Sequence, residues 1–239
     1  MTQNTTRQDP AVHDRQIRAM FADIAGVYDR MNGVLSLGLD ARWRQRVAAA
    51  IDPAAVDVLD ACSGTGELIL TAQRAGKGRR HVATDFCHPM LAEGVRTNGL
   101  GQAASVLTAD TQRLPFQDAS FDAVLVGFGL RNLGDLPLGL REIRRVLRPG
   151  GQLLALEFFR ARRSWVARPM NLYLTRVVPF LGGLIGRDSS AYTYLPQSMG
   201  NFLTVAEFSS ELERAGLSVE GSAQAQSFGV AHLVEARAE

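Results

Sequence analysis

The sequence predicts a doubly wound α/β domain of the Rossmann-like kind, built on a mainly parallel sheet. Three observations predict it. From residue 56 onward, short apolar runs alternate with helix-like stretches, the pattern of strands joined by crossover helices. A glycine-rich turn follows the first apolar run directly, and acidic residues close the next two runs.

The elements follow in order. The opening MTQNTTRQDPAVHDRQ is polar and has no apolar h-region, so it reads as no signal peptide. Residues 1–13 are expected to be a disordered arm and residues 14–239 a single domain entered through a helical arm. Val56–Ala61 reads as strand one, Gly66–Ala75 as the helix after it, and His81–Thr84 as strand two. Pro89–Asn98 is a helix with proline in its first turn. Ser105–Ala109 and Phe121–Phe128 are strands three and four. Leu136–Leu147 is helical, with Arg-Pro-Gly-Gly at 148–151 as its stop signal, and Gln152–Phe158 is strand five. The alternation then lapses over a basic, aromatic, helix-like insertion at 160–200. An amphipathic helix at Val205–Ala215 and two strands near 217–222 and 228–236 complete the chain.

Bulk properties exclude several classes. The 26 basic residues exceed the 24 acidic ones by only two, too little for a nucleic-acid binder. Cys62 and Cys87 make neither a metal nor a disulfide framework and read as reduced cytosolic thiols. No apolar run reaches the roughly 20 residues of a membrane span. The expected location is the cytoplasm, with the inner face of the cell membrane left open.

The strongest motif is LDACSGTGEL, Leu59–Leu68. Gly64 and Gly66 allow a tight turn and a close backbone approach to a ligand, at the start of a helix. Asp60, Gly64 and Gly66 are therefore candidates for a cofactor cradle. The dinucleotide fingerprint needs a third glycine where Ile69 stands, which disfavours NAD and FAD. Asp85 ends strand two, where a carboxylate accepts both hydrogen bonds of a ribose diol or caps the next helix. Asp110 ends strand three, where it reaches an adenine edge or starts a turn. No GKS or GKT phosphate loop occurs. Adenosine without phosphate suggests S-adenosyl-L-methionine.

Four blocks carry a resemblance: Met20–Trp43 with its YDRMN, Leu114–Asn132 ending in GLRN, Arg145–Phe158 with RPGG, and Asp188–Ser198 with YTYL. Together they resemble the ubiquinone/menaquinone biosynthesis C-methyltransferase family from about Met20 to Ser198. The resemblance implies a class I methyltransferase sheet with an antiparallel last strand, and C-methylation of a demethyl-quinol by S-adenosyl-L-methionine. It implies cofactor contacts from Thr65, Asp85, Asp110 and Thr111. At Gly127 the family commonly has serine, so only backbone is offered there. The tail SFGVAHLVEARAE departs from the family's usual ending, and His232 has no aligned counterpart.

Ring methylation needs an ionised hydroxyl beside the carbon attacked, and a free phenol has a pKa near ~10. Arg131 of GLRN is implied to activate that hydroxyl. As a permanent cation it suits phenolate stabilisation better than proton abstraction. Asn132 is assigned to orienting water and Tyr28 to the ring oxygen or to covering the cofactor. The alternatives stay open: Arg131 as an ion-pair strut, Asn132 as a helix cap, Tyr28 as packing, and Glu157 in a proton path or structural. A polyprenyl quinol is the expected substrate partner. Arg160, Arg162, Arg163, Arg168, Arg176 and Arg187 lie among Trp165, Tyr173 and Phe180, a mixture that suits an anionic membrane surface or a lid. A homodimer is left open.

Overall fold

The computed structural model describes residues 10–160, 190–227 and 231–239. The entry arm comprises α1 (Pro10–Ile24), a 3-10 turn at Ala25–Val27, α2 (Tyr28–Leu35) and α3 (Leu39–Ala50). The repeating part follows as β1 (Asp57–Asp60), α4 (Glu67–Arg74), β2 (Arg80–Asp85), α5 (His88–Thr97), α6 (Leu100–Ala103) and β3 (Ser105–Thr108). It continues as β4 (Phe121–Gly127), a 3-10 turn at Leu130–Asn132, α7 (Leu136–Val146) and β5 (Leu147–Glu157). The last part holds α8 (Ser190–Asn201), α9 (Val205–Arg214), β6 (Leu217–Val219), β7 (Gln224–Gln226) and β8 (Ala231–Ala238). Helix α1 begins at Pro10, inside the stretch expected to be a disordered arm; residues 1–9 lie outside the described residues. Within the insertion, 161–189 also lie outside them, with five of its six arginines.

The sheet order is β3-β2-β1-β4-β5-β8-β6, with β7 also paired to β8. Strands β1 to β5 are parallel, and β8 is antiparallel to β5, β6 and β7. The order reverses between β1 and β4. In an open α/β sheet the crevice outside the carboxyl ends at such a reversal is where ligands bind.

Consecutive residues of the central strands are buried on both faces, as a sheet covered by helices on each side requires. Val124, Leu153 and Ala155 face one core with Leu140 and Ile143 of α7 and Phe208 of α9. Leu125, Leu154 and Leu156 face the other with Val47 of α3, Ile69 of α4 and Leu91 of α5. At the amino-terminal rim, Arg148 bridges Asp57 (2.9 Å) and Asp122 (2.6 Å), tying β5 to β1 and β4. Helix α7 is capped by Asp135, which accepts from the Leu138 amide at 2.9 Å, and α9 starts with a capping box of Thr204 and Glu207.

Three differences from the expected elements have physical reasons. Strand β5 starts at Leu147, because Leu147 pairs with Phe121 before the register shifts and resumes at Ala123–Gln152. The Arg-Pro-Gly-Gly stretch therefore ends α7 and also lies within β5, with Gly150 at φ +75°. Helix α6 is one turn long, too short for apolar periodicity to announce. Strand β7 (QAQ) has no apolar alternation and is made by its pairing with β8.

Candidate active site

Among the described residues, two cavities open at the carboxyl rim and share Tyr28, Cys62, Gly64, Gly127 and Phe128 as lining residues. The first, about 580 Å³ counting its open mouth, is lined by Asp85, Phe86, Met90, Asp110, Thr111 and Asn132, among others. The second, about 490 Å³ on the same measure, adds Asp29, Asn32, Asp60, Ser63, Thr65 and Glu67. Thus ten of the expected residues meet at one rim, nine as cavity lining and Gly66 between them. Arg131 stands apart, lining neither cavity.

The glycine turn is built by its neighbours. Gly64 takes φ +56° and Gly66 φ +86°, backbone conformations that favour glycine. A Cβ at Gly66 would stand 2.5 Å from Leu100 Cδ1. The Gly64 amide donates to Asp85 Oδ2 at 2.9 Å and the Cys87 amide to Asp85 Oδ1 at 2.8 Å. Asp85 therefore braces the glycine turn and the bend that leads into α5 while its carboxylate still borders the cavity. Burial raises its pKa to about 6. Asp60 is fully buried; its Oδ2 accepts from the Ile69 amide at 3.2 Å, and burial raises its pKa to about 7. Hydrogen bonding from the neighbouring Ser63 side chain and the Ile69 and Cys62 amides opposes that rise.

Thr65 spends its hydroxyl on the entry arm, donating to Asp29 Oδ1 at 2.6 Å. Asp110 Oδ1 accepts from the Gln112 amide at 2.8 Å, closing the turn after β3. The Gln112 side chain also donates to Asp14 of α1 at 3.3 Å, so the arm is fastened beside Asp110. The Thr111 hydroxyl donates to the Ala61 carbonyl and lies 3.3 Å from Cys62 Sγ. Gly127 closes β4, and a Cβ there would approach Leu68 Cδ2 to 3.2 Å.

Beyond β4 the chain turns through Phe128, a non-glycine residue at φ +58°. Its ring stacks on Phe158 at 4.4 Å, and its amide donates to the Leu156 carbonyl at 2.8 Å. The left-handed turn aims the Phe128 carbonyl at Arg131 Nη1 and at Asn132 Nδ2 (3.3 Å). Arg131 is buried against Glu157, Nη1 to Oε1 at 2.8 Å, with Nε on Ser198 Oγ at 3.3 Å. Its guanidinium also lies over the Phe158 ring, 5.5 Å from the centroid. Nη2 carries no hydrogen bond among the described residues. Burial raises the pKa of Glu157, opposed chiefly by Arg131. Asn132 Oδ1 accepts from the Tyr194 hydroxyl at 2.8 Å. His232, directly across from Glu157 in the β5–β8 register, is held below its usual pKa by burial, and its Nδ1 has no partner among the described residues.

Tyr28 meets Phe21 edge-on at 5.9 Å. Burial raises its pKa, while Asn32 and the Arg131 charge pull it down. Tyr194 shows the same pair of influences, burial upward and Arg131 downward. Asp29, Asn98, Tyr194 and Ser198 were not singled out from the sequence. All but Asn98 lie inside the YDRMN and YTYLPQS blocks, which were the available signal.

No helix among the described residues is long and apolar enough to cross a membrane. The chain matches the model of the ubiE/COQ5 methyltransferase family over residues 10–235. A demethylmenaquinone methyltransferase of Thermus thermophilus is 41% identical over 216 residues, 90% of this chain and 97% of that protein. A ubiquinone/menaquinone biosynthesis C-methyltransferase UbiE of Bartonella tribocorum is 34% identical, covering 89% of this chain and 85% of its own length. Among solved structures, the 1,6-didemethyltoxoflavin-N1-methyltransferase of Burkholderia thailandensis superposes with a TM-score of 0.64 at 18% identity, covering 96% of this chain and 90% of its own. A SAM-dependent methyltransferase of Mesorhizobium loti gives 0.58 at 19% identity, covering 84% and 100%. At those identities the structures speak for the fold, and the family match over nearly the whole chain speaks for the chemistry. The chain belongs to the ubiE/COQ5 methyltransferase family and is an S-adenosyl-L-methionine-dependent methyltransferase.

Proposed function

We propose that the protein methylates a ring carbon of a demethyl-quinol, demethylmenaquinol in the first instance, with S-adenosyl-L-methionine as donor. The cradle fits that cofactor. Asp60 and Ser63 line the second cavity as buried oxygen groups, suited to an ammonium group, and Asp85 and Asp110 border the adjoining space where a nucleoside would lie. Two buried carboxylates also suit a donor that carries positive charge. When bound, the cofactor supplies an electrophilic methyl group on sulfonium.

The residues around it have separable tasks. Thr65, Gly64 and Gly66 shape the turn against which the amino-acid end rests, and Asp85 takes the ribose hydroxyls. Asp110, Thr111 and the Gly127 backbone border the base and the reacting centre. The acceptor's ring hydroxyl must ionise so that electron density reaches the neighbouring carbon. That carbon would take up the methyl group the bound cofactor supplies, and the ring C–H proton would leave to water. Alignment and exclusion of water are what the enclosed rim contributes.

The single observation that carries the reading is where Arg131 stands: its buried guanidinium shares the Phe128 carbonyl with Asn132, which lines the first cavity together with Tyr28. Burial raises the pKa of Tyr28 and Tyr194, and the nearby Arg131 charge opposes that rise. A quinol hydroxyl entering between Tyr28 and Asn132 meets the same charge. Tyr28 and Asn132 are the residues that touch the acceptor, and Arg131 stabilises the phenolate from behind them.

The test uses the full chain, S-adenosyl-L-methionine and a short-chain demethylnaphthoquinol kept reduced. The expected product carries one additional methyl on the ring carbon and two free hydroxyls. Methyl found on oxygen, or no transfer to this acceptor class, overturns the proposal.

A further inference from the structure

Tyr28 and Asp29 are consecutive at the start of α2, and both border the rim, but they are held very differently. Tyr28 stands where the two cavities share a wall. Asp29 reaches away from its own helix to two other segments. Its Oδ1 accepts the Thr65 hydroxyl at 2.6 Å, and its Oδ2 accepts Asn98 Nδ2 at 2.9 Å. Asn98 Nδ2 donates as well to the Thr65 carbonyl at 3.2 Å, so the three residues close a ring of hydrogen bonds. Asn98 follows the last turn of α5, which presses on the same loop closely enough that a Cβ on Gly94 would stand 2.3 Å from the Thr65 carbonyl oxygen. A carboxylate that only favoured the first turn of α2 would have no need of partners 36 and 69 residues away.

We infer that Asp29 is a positioning residue for methyl transfer: its carboxylate, clasped to the glycine turn at Thr65 and to the end of α5 at Asn98, sets where the Tyr28 ring stands at the junction of the two cavities. The inference rests on the assignment of Tyr28 to the acceptor site. The glycine turn has holds of its own. Gly64 is fixed by Asp85 (2.9 Å), and the Ser63 amide donates to the Thr84 carbonyl (2.9 Å). Helix α1 is fastened separately through Asp14 and Gln112 and through the Arg18 carbonyl, which accepts from Cys87 Sγ at 3.6 Å. Loss of the clasp therefore releases α2, and with it Tyr28, rather than the cofactor's cradle.

A double-mutant cycle on the full chain tests this, with turnover and KM for the short-chain quinol and cofactor Kd by calorimetry. Asp29→Ala is expected to lower kcat about tenfold while cofactor Kd stays within about twofold. On a Tyr28→Phe background the same change should lower kcat by less than about twofold, because the hydroxyl it positions is already gone. Asp29→Asn keeps an acceptor for Thr65 but turns a donor toward Asn98. It should fall between wild type and Asp29→Ala, and it carries the cycle if the alanine variant does not fold. Should Tyr28→Phe reduce turnover and the Asp29 effect multiply with it in full, the inference is overturned and the Tyr28 assignment stands. Tyr28→Phe with unchanged turnover removes the assignment and the inference together. A tenfold rise in cofactor Kd from Asp29→Ala would make Asp29 a cofactor contact and overturn positioning.

Discussion

Replacing Arg131 by lysine separates a catalytic cation from a structural strut. The guanidinium joins Glu157 (2.8 Å), Ser198 (3.3 Å) and the Phe128 carbonyl while lying over the Phe158 ring. Lysine keeps the charge and can keep one of these partners, but its ammonium cannot span the fork. Lost hydrogen bonds of a charged group are worth about 1.5–3 kcal/mol each and two of the three are lost, so a net loss of about 3–6 kcal/mol is expected. In a domain of this size that lowers Tm by roughly 6–24 °C. If the planar cation also stabilises the phenolate, removing one preorganised donor costs about 100-fold in kcat or more, with cofactor Kd unchanged. The assay is steady-state quinol methylation at a temperature where melting curves show the variant fully folded. Turnover near the wild-type value in folded Arg131→Lys, together with the lowered Tm, would refute the catalytic argument and leave the arginine as a strut between Glu157 and Ser198.

Cofactor binding should release protons. Asp60 and Asp85 carry pKa values raised to about 7 and about 6 by burial, and a cationic ligand favours their charged forms. Affinity should therefore rise with pH up to about 7 and level off, and calorimetry in buffers of different ionisation enthalpy checks it. The same shifts give the unliganded protein a contribution to stability from these two groups that is fully present below about pH 4 and is lost as pH rises from about 4 through about 6 to 7, because over that range the folded state keeps protons the unfolded state has released. Melting curves of Asp85→Asn against pH should be flatter between about pH 4 and 6. Asp85→Ala should weaken S-adenosyl-L-methionine by roughly 1.5–3 kcal/mol, and an unchanged Kd would remove the ribose assignment. Gly129→Ala should destabilise by about 1–3 kcal/mol, because its Cβ would stand 2.3 Å from that of Cys62; a wild-type melting temperature counts against the packing argument. Full-length protein should pellet with anionic liposomes at low salt and detach as salt rises, and Arg162, Arg163 and Arg168 changed to glutamine should weaken this, each arginine contributing about 1 kcal/mol; no binding at low salt dismisses the membrane reading.

The parallel sheet was legible because a strand buried on both faces writes itself as a continuous apolar run, as Val124 and Leu125 or Leu153 and Leu154 do. The glycine turn was legible because left-handed backbone at Gly64 and Gly66 leaves few alternatives. What escaped the sequence reading were pairings between distant segments. Nothing local in GTG says that the Thr65 hydroxyl turns to an aspartate 36 residues earlier. Nothing in GLRN says that the arginine is sunk against Glu157. Of the alternatives for Asp85, the helix cap is not made, since α5 is entered from Cys87 without a side-chain cap, and the carboxylate instead braces the glycine turn and the Cys87 amide while bordering the cavity.

The left-handed backbone of Phe128 constrains how this protein can drift or be engineered. Such a conformation costs on the order of 1–3 kcal/mol for a residue with a Cβ, and glycine or asparagine would relieve it. The ring in place is stacked on Phe158, which lies beneath the Arg131 cation, and Trp43 packs against both rings at about 6 Å. Glycine at 128 would ease the chain but forfeit both ring contacts, and losing a packed phenylalanine costs about 3–5 kcal/mol, more than the strain it relieves. The strained dihedral is thus locked in by its own side chain, and drift away from it would have to pass through variants that melt earlier and lose the aromatic floor beneath the cation.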